Sequence, residues 1–270
     1  MKNVCRLLSL ALFVIAQPST AADAALQAAA TGGHRAADNI ARNSARHPVA
    51  TLEFFGLRAD MTVVEIWPGG GGWYTEVLAP YLRGAGVLYA ANYDGSTGVE
   101  YFARNAEVLK QKLAANPAVY DKVNVTSLMP PNSVSPAPAG SADLVVTFRN
   151  LHNWVRDGRA EAMFAAAFTL LKPGGTLGLV AHRGTDAMVG AESAKTGYLA
   201  ESEALHLAAA AGFEFVAKSE INANPRDTKD HPKGVWTLPP SYRAGDVERD
   251  KYAAIGESDR MTMKFTKPVQ

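Results

Sequence analysis

The stretch "VEIWPGGGGWYTE", residues 64–76, places four consecutive glycines between an apolar run and a segment with the composition of a helix. Glycine loses more conformational freedom on folding than any other residue, so this backbone must turn tightly or be approached closely. A glycine-rich turn between a buried strand and a helix is a place where ligands bind in α/β folds. The stretch therefore predicts a ligand here, and a tight turn without a ligand is the alternative.

Apolar runs on both sides of this turn alternate with helical patterns, which is typical of repeated βα units. The predicted strands are residues 62–67, 86–92, 122–128, 143–148, 176–183, 213–221 and 260–268. The predicted helices between them are residues 73–82, 100–116, 159–171 and 201–213. Near-continuous Val, Leu and Ile in short runs indicates strands buried on both faces. The pattern predicts a doubly wound α/β sheet, in which ligands bind beyond the carboxyl ends of the strands.

Two leading helices are predicted before the first strand. They are broken at His47-Pro48, because proline disfavours helix in the residue that precedes it. We divide the chain into residues 1–22, an N-terminal helical segment at 23–60, and the main domain at 61–270. A long connection at 222–258 separates the last two strands, and we expect it to form a lid.

The first 22 residues have the three-part layout of a secretory signal peptide. Lys2 and Arg6 form a basic start, residues 7–16 are apolar, and small residues follow up to Ala22. We expect cleavage near Ala21 or Ala22, a periplasmic or secreted mature protein, and no stable membrane insertion after cleavage. An uncleaved anchor or a buried helix is the alternative.

Composition narrows the class of protein. The chain has 270 residues, is 47% hydrophobic and 20% charged, and has a formal net charge of +1, which suits one globular α/β domain. This near-neutral balance favours neither a nucleic acid nor an anionic membrane as partner. The six histidines are scattered without a His-Glu-x-x-His pattern, so no metal site is predicted. Cys5 is the only cysteine, so the mature chain cannot form a disulfide within itself.

Two common nucleotide-binding motifs do not match the glycine turn. A Walker A loop needs a lysine and a Ser or Thr after its last glycine, but Trp73, Tyr74 and Thr75 follow here. A dinucleotide fingerprint needs a third glycine after Gly69 and Gly71, where Tyr74 stands. An NAD-dependent oxidoreductase is therefore disfavoured.

The pattern Glu65-x-Trp67-x-Gly69-x-Gly71 resembles the acidic-x-Gly-x-Gly-x-Gly loop of class I S-adenosylmethionine-dependent methyltransferases. "ADLVVTFRNLHNW" and "LKPGGTLGLV" resemble their fourth strand and their helix-to-fifth-strand segment. The resemblance covers residues 35–267, and within this superfamily the chain is similar to bacterial predicted methyltransferases that carry an export signal. It implies a seven-stranded sheet of order 3-2-1-4-5-7-6, with the seventh strand antiparallel.

The resemblance also implies S-adenosylmethionine as the cofactor, lying across this loop. Glu65 would hold the amine end, and Gly69, Gly70 and Gly71 would let the backbone N–H groups approach the ligand. Trp67 stands where the family has its first glycine, so the loop is expected to be shaped differently or partly filled by the indole.

The remaining predicted cofactor residues follow the second and fourth strands. Asn92 stands where the family has an acidic residue that binds both ribose hydroxyls, and without the charge a weaker grip is expected. Asp94 is a substitute, although turn chemistry ahead of Gly95 explains it equally well. Arg149 completes the cofactor set, and with Arg183 it is also a candidate for binding an acidic acceptor. Solvation at the surface is the alternative for both arginines.

The predicted acceptor site lies above the fourth and fifth strands. His152 is the candidate general base, because imidazole titrates near the working pH, and a histidine that only shapes the loop is the alternative. The predicted acceptor residues are Asn150, His182, Arg183 and Trp236. Trp236 would close over the acceptor, or would only attach the connection at 222–258 to the core.

The acceptor class is only partly narrowed by the sequence. The segment after the fourth strand lacks the Asn/Asp-Pro-Pro-Tyr motif of many amino-methylating enzymes, which disfavours DNA adenine or glutamine as acceptor. We therefore expect methyl transfer to a small molecule or an envelope component. The rival hypothesis is a non-catalytic ligand-binding module on the same fold.

Overall fold

The computed structural model describes residues 23–269, so the predicted signal peptide at 1–22 lies outside the described residues. Within them a seven-stranded sheet has the order β3-β2-β1-β4-β5-β7-β6. The strands are β1 (Thr62–Ile66), β2 (Val87–Asn92), β3 (Val123–Ser127), β4 (Ala142–Phe148), β5 (Leu171–His182), β6 (Glu214–Ser219) and β7 (Arg260–Thr266). Strand β1 pairs in parallel with β2 and β4, and β7 is antiparallel to both β5 and β6. The predicted fold class and strand order are confirmed.

Twelve α-helices surround the sheet within the described residues. They are α1 (Ala24–Thr31), α2 (Ala37–Ala41), α3 (Asn43–Arg46), α4 (Pro48–Phe54), α5 (Thr75–Leu82), α6 (Glu100–Ala114), α7 (Pro117–Tyr120), α8 (Leu151–Arg156), α9 (Ala160–Leu170), α10 (Gly190–Ala194), α11 (Glu201–Ala210) and α12 (Arg249–Ile255). The predicted break lies where α3 ends at a left-handed His47 (φ 40°) and Pro48 opens α4. No helix within residues 23–269 is both long and apolar enough to cross a membrane.

The central strands of the sheet are buried on both faces, which explains their near-continuous apolar sequences, whereas the edge strands β3 and β6 are largely exposed or half-buried. Successive residues point to opposite faces, so Val63 packs in one core cluster and Val64 in the other. Helices α1, α4 and α5 contribute to the first cluster, and α8, α9 and α11 to the second. This two-sided packing leaves the carboxyl ends of the parallel strands at one edge of the sheet, where the predicted site residues lie.

The chain between β6 and β7 folds as an ordered cover at this edge. It contains a short 3₁₀ helix at Gly234–Thr237 and α12. The buried carboxylate of Asp227 accepts hydrogen bonds from the Tyr198 hydroxyl at 2.9 Å and from the backbone N–H of Asp259 at 2.8 Å. The backbone N–H of Val235 donates to the carbonyl of Thr196 at 2.9 Å. These bonds attach the segment to the body of the protein before its 3₁₀ helix and within it.

Candidate functional site

Two of the four glycines in the turn are required by the packing of α6. A Cβ atom on Gly70 would lie 2.9 Å from Oδ1 of Asn105, and one on Gly72 would lie 2.8 Å from a methyl carbon of Leu109. The backbone N–H of Gly70 also donates to the Asn105 Oδ1 at 3.2 Å. The prediction that Gly70 serves the cofactor is therefore replaced by a packing role.

The other two glycines face open space. A Cβ atom on Gly69 or on Gly71 would meet no heavy atom within 4 Å. Gly69 has a φ of +70°, where other residues are strained, whereas Gly71 has no such conformation. These two positions leave bare backbone that a ligand can approach.

Trp67 fills the groove beside this turn. Its φ of 51° lies in the region that favours glycine, and its side chain is only 4% exposed. The indole N–H donates to the carbonyl of Leu128, just beyond β3, at 2.7 Å, and the ring lies 4.9 Å from that of Tyr93. Because β2 lies between β1 and β3, the indole crosses the end of β2. The expectation that it partly fills the loop agrees with this placement.

The two predicted ribose residues differ in their surroundings. Asn92 is buried, and its Nδ2 reaches the carbonyl of Gly69 only at 3.5 Å. Its Oδ1 has no hydrogen-bond partner among residues 23–269. Asp94 instead accepts hydrogen bonds from the backbone N–H of Ser96 at 2.9 Å and from its hydroxyl at 2.6 Å. Asp94 thus builds a turn through its Oδ1, and Asn92 keeps a buried acceptor that has no partner within residues 23–269.

Glu65 lies buried beneath the turn. Its carboxylate accepts a hydrogen bond from the Thr75 hydroxyl, in the first turn of α5, at 2.6 Å. Burial raises the pKa of Glu65 to about 7, although this hydrogen bond and the charge of Lys112 oppose the rise. A cation bound nearby would restore its charge, because an opposite charge favours the ionised form.

Asn150 holds the glycine turn in place through hydrogen bonds of its side chain. Its Nδ2 donates to the carbonyls of Ile66 at 3.0 Å and Trp67 at 3.2 Å, and to the Thr147 hydroxyl at 3.2 Å. Its amide N–H groups are therefore used within the protein. Asn150 thus positions the loop and also lines the cavity beside it, and its binding of the acceptor stays a prediction.

Two adjoining cavities lie between the turn and the cover. One of about 230 Å³ is lined by Trp67, Gly69, Arg149, His152 and Trp236 among others. The second, of about 650 Å³, shares Trp67, His152 and Trp236 and has a wall of aromatic side chains. This wall, the aromatic wall below, consists of Tyr93, Tyr101, Phe102 and Trp236. A mostly apolar space with a few polar groups is the usual form of a small-molecule site.

His152 and His182 meet beside these cavities, with ring centroids 5.5 Å apart. His152, in the first turn of α8, is 5% exposed, and its Nδ1 has no partner among residues 23–269. Burial, together with the charges of Arg156 and Arg149, lowers the pKa of His152 to about 3. Burial likewise holds the pKa of His182 well below its ordinary value, and its Nδ1 lies 2.6 Å from the Ser258 hydroxyl. Both rings are therefore uncharged at neutral pH, which is the form that a general base requires.

The two predicted arginines have opposite environments. Arg183 forms ion pairs with Asp259 at 2.8 Å, Glu220 at 2.7 Å and Glu201 at 3.2 Å. It joins the ends of β5, β6 and α11 and is not part of the cavity lining, so its predicted acceptor role is replaced by a structural one. Arg149 is partly buried, forms no side-chain hydrogen bond or ion pair within residues 23–269, and lines the 230 Å³ cavity.

Trp236 lies where the lid hypothesis places it. Its ring is 5.7 Å from that of His152 and forms one side of both cavities. The Arg243 guanidinium lies 4.7 Å from the centre of this ring and also lines the 650 Å³ cavity. The cover therefore contributes directly to the candidate site. Whether it opens stays a prediction.

Several lining residues were not predicted from the sequence. Tyr93 directly follows β2, and Tyr101 and Phe102 open α6, so their position next to the strand end was the available signal. Arg260 begins β7, whose antiparallel direction places its first residue at the ligand edge. Within residues 23–269, no group of three or more His, Cys, Asp or Glu side chains is placed to hold a metal ion.

The fold is shared with solved structures of low sequence identity. A SAM-dependent methyltransferase from Aquifex aeolicus is 19% identical with a TM-score of 0.52, over 67% of this chain and 87% of that one. The SAM-dependent methyltransferase SibL is 14% identical with a TM-score of 0.52, over 84% of this chain and 56% of that one. The [4+2]-cyclase SpnF is 16% identical with a TM-score of 0.54, over 83% and 82%. No family model and no curated protein sequence matches the chain. The chain therefore has the class I methyltransferase fold.

Proposed function

We propose that the chain is an S-adenosylmethionine-dependent methyltransferase that acts on a small molecule or an envelope component. The observation that supports this best is the 230 Å³ cavity, which joins the turn at Trp67 and Gly69 to His152 and His182. Methyl transfer requires the cofactor and the acceptor atom to meet in line, and this cavity offers one space to both.

The donor set at the turn fits this cofactor. The bare backbone at Gly69 and Gly71 suits its methionine part, the buried Glu65 carboxylate suits its amine, and the free Oδ1 of Asn92 suits a ribose hydroxyl. Trp67 is the one departure, because its indole lies beside Asn92. We expect the indole to leave this place on binding, which lowers the affinity.

His152 is the proposed base. When bound, S-adenosylmethionine supplies a methyl carbon attached to a positively charged sulfur. His152 is unprotonated at neutral pH and presents an unpartnered Nδ1, so it can take the proton that the acceptor loses. A base whose pKa is about 3 accepts a proton poorly, so the bound acceptor must raise this pKa.

Calorimetry with S-adenosylhomocysteine on matched glycine variants tests the cofactor site. Gly69→Ala and Gly140→Ala both place a methyl group at a φ above +60° with no neighbour within 4 Å. They carry the same backbone strain, but Gly140 precedes β4 at the opposite edge of the sheet. We expect Gly69→Ala to weaken binding at least tenfold and Gly140→Ala to leave it unchanged. Equal affinities, or no binding to the unaltered protein at millimolar ligand, would contradict the proposal.

Turnover separates an enzyme from a binding module. The cyclase SpnF shares this fold, so the fold alone does not decide the chemistry. The test is consumption of S-adenosylmethionine in the presence of a mixture of acceptors. An enzyme forms S-adenosylhomocysteine in proportion to the acceptor, whereas a binding module retains the ligand without turnover.

We further propose that the mature protein acts outside the cytosol, on the pattern of residues 1–22. S-adenosylmethionine is made in the cytosol, so this location requires a supply across the membrane. Cell fractionation with amino-terminal sequencing tests the proposal. A cytosolic protein that retains Met1 would contradict it and would remove the supply problem.

A further inference from the structure

Four arginines surround one carboxylate at the ligand edge of the sheet. We call Arg42, Arg46, Arg149 and Arg260, with Glu257 among them, the arginine cluster. The Glu257 carboxylate accepts from Nε of Arg42 at 2.7 Å, from Nε of Arg46 at 3.0 Å, and from Nη2 of Arg260. Both of its oxygens are thus occupied by three guanidinium groups. Arg149 is left without a carboxylate.

The cluster carries excess positive charge in a buried place. Arg46 and Arg260 are each 2% exposed. Nitrogens of three guanidinium groups have no hydrogen-bond partner among residues 23–269, namely Nη2 of Arg42, both Nη atoms of Arg46, and Nε of Arg260. The Arg46 guanidinium also lies 4.8 Å from the centre of the Trp73 ring, so the charges that most need an anion are Arg149, which has no ion pair within residues 23–269, and Arg260 with its free Nε. Burial and the nearby Arg260 also lower the pKa of Arg149 to about 10.

A cavity leads from the cluster to the candidate site. It measures about 70 Å³, several times what one water needs, and is lined by Arg149, Arg260, His182, Trp236 and Ser258 among others. Arg149, His182 and Trp236 also line the 230 Å³ cavity. A ligand could therefore reach the arginines with one end and the glycine turn with the other.

We infer that the methyl acceptor is a carboxylic acid with an aromatic body. Its carboxylate would bind Arg149 and Arg260 in the 70 Å³ cavity, and its body would lie against the aromatic wall. A carboxylate matches the cluster because the cluster already holds one, that of Glu257, by Nε and Nη donors. This inference rests on the proposed function, which it extends to the class of acceptor.

Such an acceptor would also make His152 a better base. Burial is the main cause of its low pKa, Arg156 and Arg149 lower this pKa further, Asp157 raises it, and the neighbouring His182 is uncharged. A carboxylate bound to Arg149 offsets one of the two cations. Binding of the acceptor carboxylate to Arg149 would thereby also raise the pKa of His152.

The experiment compares an acid with its neutral counterpart. The probes are 3-(4-hydroxyphenyl)propanoate and 3-(4-hydroxyphenyl)propanamide, titrated calorimetrically with and without saturating S-adenosylhomocysteine. Arg149→Met is the test variant, and it should fold because it removes an unpaired charge and no ion pair. Arg58→Met, a mostly exposed arginine before β1, is the control. We expect the acid to bind more tightly than the amide, and Arg149→Met to weaken the acid roughly 10- to 100-fold without affecting the amide.

The outcomes separate this inference from the proposed function. Equal affinities for acid and amide, or an acid affinity that Arg149→Met leaves unchanged, would overturn the inference. If Arg149→Met weakens S-adenosylhomocysteine and not the acid, Arg149 serves the cofactor as the sequence predicted, and the inference is again overturned. Binding of the acid without any binding of S-adenosylhomocysteine would support the carboxylate site at Arg149, but it would overturn the proposed function and with it the role of the acid as methyl acceptor.

Discussion

The two halves of the ligand edge differ in how far their side chains are already engaged by hydrogen bonds and packing within the protein. At the ends of β1, β2 and β3, the indole of Trp67 fills the groove and Asn150 braces the loop. At the ends of β4, β5 and β7, Arg149 has no ion pair within residues 23–269 and His152 keeps an unpartnered Nδ1. The half with the recognisable motif is nearly closed on itself. The half without a motif holds the unused groups of Arg149 and His152, while the first half keeps the unpartnered Oδ1 of Asn92.

This difference indicates where a bound ligand can still gain free energy from contacts with the protein. A buried polar group without a partner costs free energy that a ligand can recover, whereas a satisfied group offers little. We therefore expect changes at the satisfied groups of Trp67 and Asn150 to act mainly on stability, and changes at the unpartnered groups of Arg149 and His152 to act mainly on ligands.

Trp67→Gly should cost the most stability. It removes a buried ring and leaves a cavity, which typically costs roughly 3–5 kcal/mol, although glycine suits the φ of 51°. Urea unfolding measures the loss, and Trp67→Phe, which keeps a ring but loses the bond to Leu128, should lose about 1–3 kcal/mol. The Gly variant should also bind S-adenosylhomocysteine more tightly. Weaker binding would mean that the indole supports the ligand and does not occupy its place.

Glu65→Gln should change how stability depends on pH. The folded-state pKa is raised from 4.5 to about 7, so the unaltered protein loses stability as the pH rises between these values. The linked loss is about 3 kcal/mol, and it should be absent in Glu65→Gln. Urea unfolding at pH 5 and pH 8 measures it, with the exposed Glu107→Gln as control. An unchanged pH dependence in Glu65→Gln would show that Glu65 ionises as easily in the folded protein as in the unfolded chain.

Arg149→Met and Arg183→Met should move stability in opposite directions. Replacing the unpaired, partly buried charge of Arg149 by an apolar side chain is expected to stabilise by on the order of 1 kcal/mol. Removing Arg183 leaves Asp259, Glu220 and Glu201 without their shared cation and should destabilise by about 1–3 kcal/mol. Thermal and urea unfolding measure both. Destabilisation by Arg149→Met would show that this arginine has a partner in solution and would weaken the contrast between the two halves.

The smallest expected effect is on the titration of His152. Its pKa should rise from about 3 when 3-(4-hydroxyphenyl)propanoate is added, because the acid offsets the charge of Arg149. The amide should leave it unchanged. NMR titration of the histidine ring protons measures the difference. A pKa that responds equally to both probes would place the carboxylate elsewhere.

The fold could be predicted because its signal is local and repeated. Apolar strands alternate with helices, and the strand boundaries differ from the predicted ones by only a few residues. The exceptions have physical causes. Strand β5 begins at Leu171 because this residue pairs with Ala142 directly after α9 ends, although a proline and glycines follow. Helix α8 has only six residues and no side-chain cap, so nothing in its sequence distinguishes it from a loop.

The site could be predicted only in part, because its decisive contacts join distant segments. The sequence predicts those cavity residues that lie at a strand end or shortly after it, such as His152, His182 and Arg149. The arginine cluster was not found, since Arg42 and Arg46 are separated from Glu257 by 215 and 211 residues. For Trp67, the sequence shows only a departure from the glycine motif of the methyltransferase loop. Its bond to Leu128 depends on the order of the strands, which a local pattern does not contain.

The four glycines of the turn have different structural roles, and this has a consequence for natural variation. Gly70 and Gly72 are kept by the packing of α6, and Gly69 by its backbone conformation, whether or not any ligand binds. A descendant that had lost its ligand would still be selected to retain these three and would still look like a binder. Gly71, which has neither constraint, is free to drift once binding no longer matters. Among related genes, variation at this position, and not at the other three glycines, therefore indicates whether the turn still binds a ligand.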